Sequence, residues 1–170
     1  MTHAAQLPVK QFFDAFQQLD WKTMQQQYAD DIVFYDPVFE NLQGNEVRAM
    51  WHMLCTRSKD FSLTVEQMNV DPDPETGAGG TEFYYCTTDW KAEYIFSATG
   101  RKVINRVRSH MKIQDGLILE QTDAFNLYRW TRQAFGLKGW ILGLTSLFRS
   151  KLRKNARQGL QLFMKRHYTK

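Results

Sequence analysis

Tyr28-Ala29-Asp30-Asp31-Ile32-Val33-Phe34-Tyr35-Asp36-Pro37-Val38-Phe39 reads as the end of a helix, a turn and a short strand that stops at a proline. Short carboxylates such as Asp30 and Asp31 suit a turn, because they bond nearby backbone amides. Ile32 to Tyr35 is β-branched and aromatic and suits a strand. Pro37 keeps Asp36 out of helical geometry, so Asp36 falls at a strand end among Phe34, Tyr35 and Phe39. Apolar company disfavours the charged form of a carboxyl and raises its pKa toward that of a neutral-pH base. The plainer alternative is that Asp36 only caps the turn before Pro37.

Before this stretch, residues 7–28 carry Phe12, Phe13, Phe16, Leu19 and Met24 at helical spacing, with a break at Asp20-Trp21. After it, Gly44 marks a loop. Asn45 is placed to cap a second helix through about Ser58, with Val47, Met50, Trp51, Leu54 and Cys55 as its apolar stripe. From Phe61 the pattern changes to alternation. Phe61–Val70, Glu82–Ala98, Arg101–Ile113 and Leu117–Tyr128 read as strands, joined at 71–80, Thr99-Gly100 and Asp115-Gly116. Val103, Asn105, Val107, Ser109, Met111 and Ile113 share one face. Leu119, Gln121, Asp123, Phe125 and Leu127 share another, which puts Asp123 inside. A lone interior carboxylate needs a partner or a raised pKa. Helices followed by meander strands argue an α+β fold, a curved antiparallel sheet wrapped around N-terminal helices.

The chain has 170 residues, 43% apolar and 14% aromatic, which suits one domain with a real core. Cys55 and Cys86 form no disulfide framework, and a reducing cytoplasm fits them. No secretory leader is visible in the first residues, and no apolar run reaches the roughly 18 residues a membrane span needs. The net charge of +4 hides an asymmetry. Residues 1–128 hold all 18 acidic and 11 basic residues, a net −7, and residues 129–170 hold the other 11 basic residues without one acid.

Tyr28-Ala-Asp-Asp, the strand ending Asp36-Pro37, Gly44 before a helix, and the later Asp115-Gly-Leu-Ile118 followed by Asp123 resemble the cone-shaped fold of nuclear transport factor two, ketosteroid isomerase and the SnoaL-like polyketide cyclases. The resemblance spans about residues 8–128. It implies that Asp36 matches the isomerase's proton-transferring aspartate and that Tyr28 matches a supporting tyrosine. Asp123 falls near the cyclases' acid/base aspartate. Two departures stand beside these matches. Phe12 occupies the place of the isomerase's oxyanion tyrosine, and Ser109 that of its protonated aspartic acid. Arg106 and Arg108 lie on the outward parity, away from the Asp-Arg-Asp set of limonene epoxide hydrolase.

The expectation is therefore a cone domain over 1–128. In it Asp36 and Asp123 would face a pocket lined by Phe12, Phe16, Met53, Tyr94, Val107, Ser109, Gln121 and Phe125. It would bind a small apolar molecule. Any chemistry would be isomerisation, cyclisation or hydration by the two carboxyls, without metal or organic cofactor. The alternative is that Asp123 merely bonds Gln121, Ser109 or a backbone amide. The resemblance also implies a homodimer. Residues 129–170 read as a basic helical extension, with Phe148, Leu152, Ala156, Leu160 and Phe163 as a stripe. Such a helix suits an anionic membrane surface or nucleic acid, and a non-catalytic interaction module built on it is the second functional reading. Packing of that stripe on the protein's own domain is the more common arrangement.

Overall fold

A computed structural model describes residues 6–71 and 73–168, so Pro72 of the 71–80 loop lies outside the described residues. Helices α1 (Gln6–Gln17) and α2 (Trp21–Gln26) come first. Asp20 separates them as an N-cap, its carboxylate accepting from the Thr23 backbone N–H at 3.2 Å and from the Thr23 hydroxyl at 2.6 Å. Strand β1 (Tyr28–Tyr35), the short β2 (Leu42–Gln43) and helix α3 (Asn45–Arg57) follow. Strands β3 (Lys59–Val70), β4 (Glu75–Thr76), β5 (Glu82–Phe96), β6 (Arg101–Gln114) and β7 (Leu117–Ala124) build the sheet. Helices α4 (Leu127–Phe135), α5 (Leu137–Leu142) and α6 (Ser146–His167) come last.

The sheet is open and curved, in the order β2-β1-β7-β6-β5-β3, with β4 added on β5. The fold is α+β, as the switch from helical to alternating pattern predicts. Every pairing is antiparallel except β1 with β7, which run parallel. Between sheet and helices lies one large core. Phe12, Phe13 and Phe16 of α1 and Met50, Trp51 and Met53 of α3 meet Trp90, Val107, Met111 and Ile118 from the strands.

Several sequence readings change in detail. Tyr28 does not end a helix. It opens β1 opposite Ile118, and a bulge between Tyr28 and Val33 lets Asp30 and Asp31 lie in the strand with their carboxylates exposed. Asn45 is the first helical residue of α3, and Gly44 takes the cap position at φ 50°. A side chain there would also press on the Asp30 carbonyl, 3.2 Å from an added Cβ. The last strand stops at Ala124, because Asn126 caps α4 by accepting from the Arg129 N–H at 2.9 Å. Phe125 is therefore linker and Leu127 is helix. Within β7, Ile113 pairs with Ile118 but Lys112 pairs with Glu120, so Leu119 is an extra residue. That bulge brings Ile118 onto the inner face with Gln121 and Asp123, and leaves Leu119 half-buried.

Candidate functional site

Asp123 stands directly across from Ser109 in the β6–β7 pair, and the two-residue period puts Gln121 on its side of β7. All three are buried, with Asp123 only 4% exposed. The Asp123 Oδ1 accepts from the Ser109 hydroxyl at 2.6 Å and from the Gln121 amide at 3.0 Å. Behind each donor stands another. The Trp90 indole N–H donates to Ser109 Oγ at 2.8 Å, and the Tyr28 hydroxyl donates to Gln121 Oε1 at 2.6 Å. An indole nitrogen can only donate, so the Ser109 hydrogen is left for Asp123. With its oxygen occupied by Tyr28, Gln121 likewise turns its amide hydrogens to the carboxyl. Two directed relays thus end on Oδ1. A proton carried by the neutral acid belongs on Oδ2.

Burial pushes Asp123 up to about 7, while the Ser109 and Gln121 hydrogen bonds pull it down and the charge of Asp36 pushes it further up. Burial also raises Tyr28 well above the ordinary phenol range, and Asp123 adds to that rise. Tyr28 is therefore a neutral hydrogen-bond donor here. Trp51 and Arg48 hold the rise in check. The Trp51 N–H exerts this pull without meeting hydrogen-bond geometry to Tyr28. Among the described residues its Nε1 is the buried side-chain polar atom left without a hydrogen bond.

Asp36 sits where β1 meets Pro37. Its Oδ1 accepts from the backbone N–H of Val38 at 2.8 Å and of Phe39 at 2.5 Å. The turn-capping role expected of an Asp-Pro step is therefore present. Burial nevertheless raises Asp36 to about 6, against the pull of those amides and of Arg153. Arg153 reaches in from α6. It donates to the Pro37 carbonyl at 3.1 Å and pairs with Glu40 at 3.0 Å. Burial pushes up the Tyr94 hydroxyl, which accepts from the Trp130 indole N–H at 2.9 Å, and the charge of Asp36 adds to the rise.

The residues expected around a pocket divide in two. Phe12, Phe16, Met53, Val107, Ser109 and Gln121 are buried in the large core. Phe12 packs on Tyr28 at 5.4 Å and on Trp51 at 5.5 Å, and Phe16 on Trp51 at 5.0 Å and Trp90 at 5.7 Å. Aromatic rings therefore occupy the space beside the Asp123 network. Tyr94 and Phe125 are half-buried and touch both this core and a smaller cluster of Val103, Trp130 and Ala134. That smaller cluster comes with α4 and closes one end of the cone. Val107 and Phe125 also line an open surface groove of about 520 Å³, together with Glu66, Asp89, Arg106 and Arg108. There Arg106 bonds Glu66 at 2.6 Å and Arg108 grips Asp89 with two bonds of 2.7 Å, so both arginines face outward as their parity predicts. No cluster of three or more His, Cys, Asp or Glu that could hold a metal occurs among the described residues.

Sequence reasoning missed Trp90, Trp51 and Arg153. Trp90 shares its strand parity with Thr88 and Ala92, but the bond to Ser109 depends on the β5–β6 register. Arg153 needed the path of α6, for which no local signal exists.

A cone of this kind, with carboxyls on its inner face, defines a class. A family model described as the SnoaL-like domain matches residues 9–121, well over half of the chain, and the chain belongs to that family. No curated protein matches it in sequence. Among solved structures it is similar to an LEH-like epoxide hydrolase of M. tuberculosis, with 21% identity and TM-score 0.60 over 84% of this chain and 96% of that one. It is similar to TsrD from Streptomyces laurentii, with 20% identity and TM-score 0.58 over 79% and 96%. It is also similar to a protein with a ketosteroid isomerase-like fold from Catenulispora acidiphila, in complex with trimethylamine, with 12% identity and TM-score 0.59 over 75% and 92%. At these identities the structures establish the fold.

Proposed function

We propose that the cone binds a small, largely apolar molecule and that Asp36 and Asp123 exchange a proton with it. The observation that carries this reading is geometric: Asp123 is buried on the inner sheet face with Ser109 and Gln121 donating to one oxygen, and Asp36 is half-buried at the end of β1; burial raises the two carboxyls to about 7 and about 6. At pH 7 Asp36 is mostly ionised and suits the base. Asp123 keeps its proton about half of the time, on Oδ2, and suits the acid. Ser109 and Gln121 orient Asp123, with Trp90 and Tyr28 fixing the direction of their hydrogens. Similarity to an epoxide hydrolase supports the reading, since opening an epoxide needs a proton delivered to oxygen and a base for water. Isomerisation and cyclisation ask for the same two roles. The side chains that would do this are the protein's own, with no metal or organic cofactor.

The setting is cytoplasmic in this reading, supported by two buried free thiols, Cys55 and Cys86. The structure has no helix among the described residues long and apolar enough to cross a membrane. In this reading the protein also pairs into a homodimer through its sheet, as the family resemblance implies.

The test is a turnover screen of epoxides, lactones and enolisable ketones, read by mass spectrometry. For a substrate found, Asp36→Asn and Asp123→Asn should each lower kcat by about 10²–10⁴. Full turnover by both variants would remove the carboxyls from the chemistry.

A further inference from the structure

Helix α5 is attached to the protein by its glycines. A Cβ on Gly139 would lie 2.0 Å from the Thr131 carbonyl oxygen, and one on Gly143 would lie 2.3 Å from the Gly139 carbonyl and 2.4 Å from Thr131 Oγ1. The backbone of α5 therefore lies directly on α4. A short helix normally docks by its apolar side chains; this one docks by the face that has none. Its apolar side chains are left pointing to solvent. Leu137 is 72% exposed, Trp140 55%, Ile141 61%, Leu142 45%, Leu144 61% and Leu147 83%. These six fall within eleven consecutive residues, half of the large exposed apolar side chains of the described chain. Scattered exposed leucines mean little, but a contiguous apolar patch marks a contact surface.

Cations surround the patch. On one side is a groove of about 800 Å³ lined by Arg101, Lys102, Arg129 and Arg132 together with Leu137 and Trp140. On the other is a groove of about 760 Å³ lined by Arg149, Arg153, Lys154 and Arg157 together with Leu144. Lys138 and Lys151 are exposed alongside. Only Lys102 and Arg153 of these ten have an acidic partner within ion-pair distance among the described residues. Two excluded occupants follow from the charges. A second copy of the same patch would set these cations against themselves in a self-complementary contact. A nucleic acid backbone would use the cations and leave six apolar side chains in water.

We propose that the exposed apolar residues of 137–147 insert into the interface of an anionic lipid bilayer, with the two flanking basic grooves receiving lipid headgroups. A tryptophan, aliphatic side chains and a rim of arginine and lysine are the composition of a segment that lies in the membrane interface. The mode is peripheral: α5 is six residues long, far too short to span. The arrangement differs from a basic amphipathic helix lying on the membrane. The stripe of α6 is already used, since Leu160 and Phe163 are buried against the core. The inserting element is α5, the turn after it and the first turn of α6.

The experiment is flotation of the full chain with vesicles of phosphatidylcholine alone or mixed with phosphatidylglycerol, beside Trp140→Ser/Leu147→Ser and Arg129→Gln/Arg132→Gln/Lys138→Gln variants. All these positions are exposed, so the variants should keep the wild-type circular dichroism spectrum and melting temperature. The expected result is binding to the anionic vesicles, with brominated lipid quenching the Trp140 emission. Partition should weaken at least about tenfold in the apolar variant, and binding should fall with added salt in the wild type and be weaker throughout in the charge variant. Three results would overturn the proposal: no flotation with anionic vesicles at low salt, binding that the apolar variant retains in full, or a dimer in solution that the apolar variant dissociates while neither protein binds lipid.

Discussion

Asp123 destabilises the fold that holds it. Its pKa rises from 3.8 to about 7 on folding, so the folded state binds its proton more tightly than the unfolded chain does. The stability linked to that proton is complete below pH 3.8 and is lost as pH rises through about 7. Asp123→Asn keeps an oxygen for Ser109 and Gln121 and has no charge to desolvate. The variant should therefore exceed the wild type in stability at pH 8, by on the order of 4 kcal/mol, with the difference vanishing near pH 4. Chemical denaturation at the two pH values measures it, and an equal difference at both would show that the ionisation of Asp123 is not its source. Much of this site was legible. Gln121 and Asp123 share a face by period two, and Ser109 stands on the inward parity of the neighbouring strand. The relay through Trp90 was not legible, because it depends on how β5 is registered on β6, which no local pattern reports.

At the scale of elements, two glycine-dependent and arginine-dependent joints can be read quantitatively. Replacing a helical glycine with alanine usually stabilises by about 1 kcal/mol through helix propensity. At Gly139 the added carbon would meet a backbone carbonyl at 2.0 Å, which cannot step aside. Gly139→Ala should therefore destabilise, by about 1–3 kcal/mol, and a thermal melt gives the sign. The joint between α6 and the Asp36 turn is Arg153. With Arg153→Gln the guanidinium that holds Asp36 down is gone, so the Asp36 pKa should move above about 6 while Asp123 is not raised. A carbon-13 NMR titration of the two carboxyls separates these outcomes. The helix break at Asp20 and the tight Asp115-Gly116 turn were legible, because caps and turns are local chemistry. Which face of α5 is docked was not. Its sequence places apolar side chains and glycines on one short helix, and only the closeness of Thr131 decides which of them goes inside.

For the whole molecule, the C-terminal helices complete the interior. Leu160 and Phe163 of α6 are buried, Ala156 and Met164 pack on the same core, and Leu152 packs on the smaller cluster. A chain ending at residue 145 should lose on the order of 5 kcal/mol of stability. It should bind more of a hydrophobic dye than the full chain does, and dye fluorescence with a urea melt would check both. The fold class was legible because the change of apolar period from helical to alternating needs no tertiary information. The parallel β1–β7 pairing was beyond the sequence, since it joins segments at opposite ends of the cone domain and no short turn specifies it.

That parallel pairing also governs the order in which the protein can be made. Tyr35 finds Thr122 only after all the intervening strands have been synthesised. Until then β1 has the two residues of β2 as its only strand partner, and Ile32-Val33-Phe34-Tyr35 waits as an adhesive edge on the nascent chain. Asp30 and Asp31 are exposed beside that edge, and charge at such a place disfavours pairing with other chains.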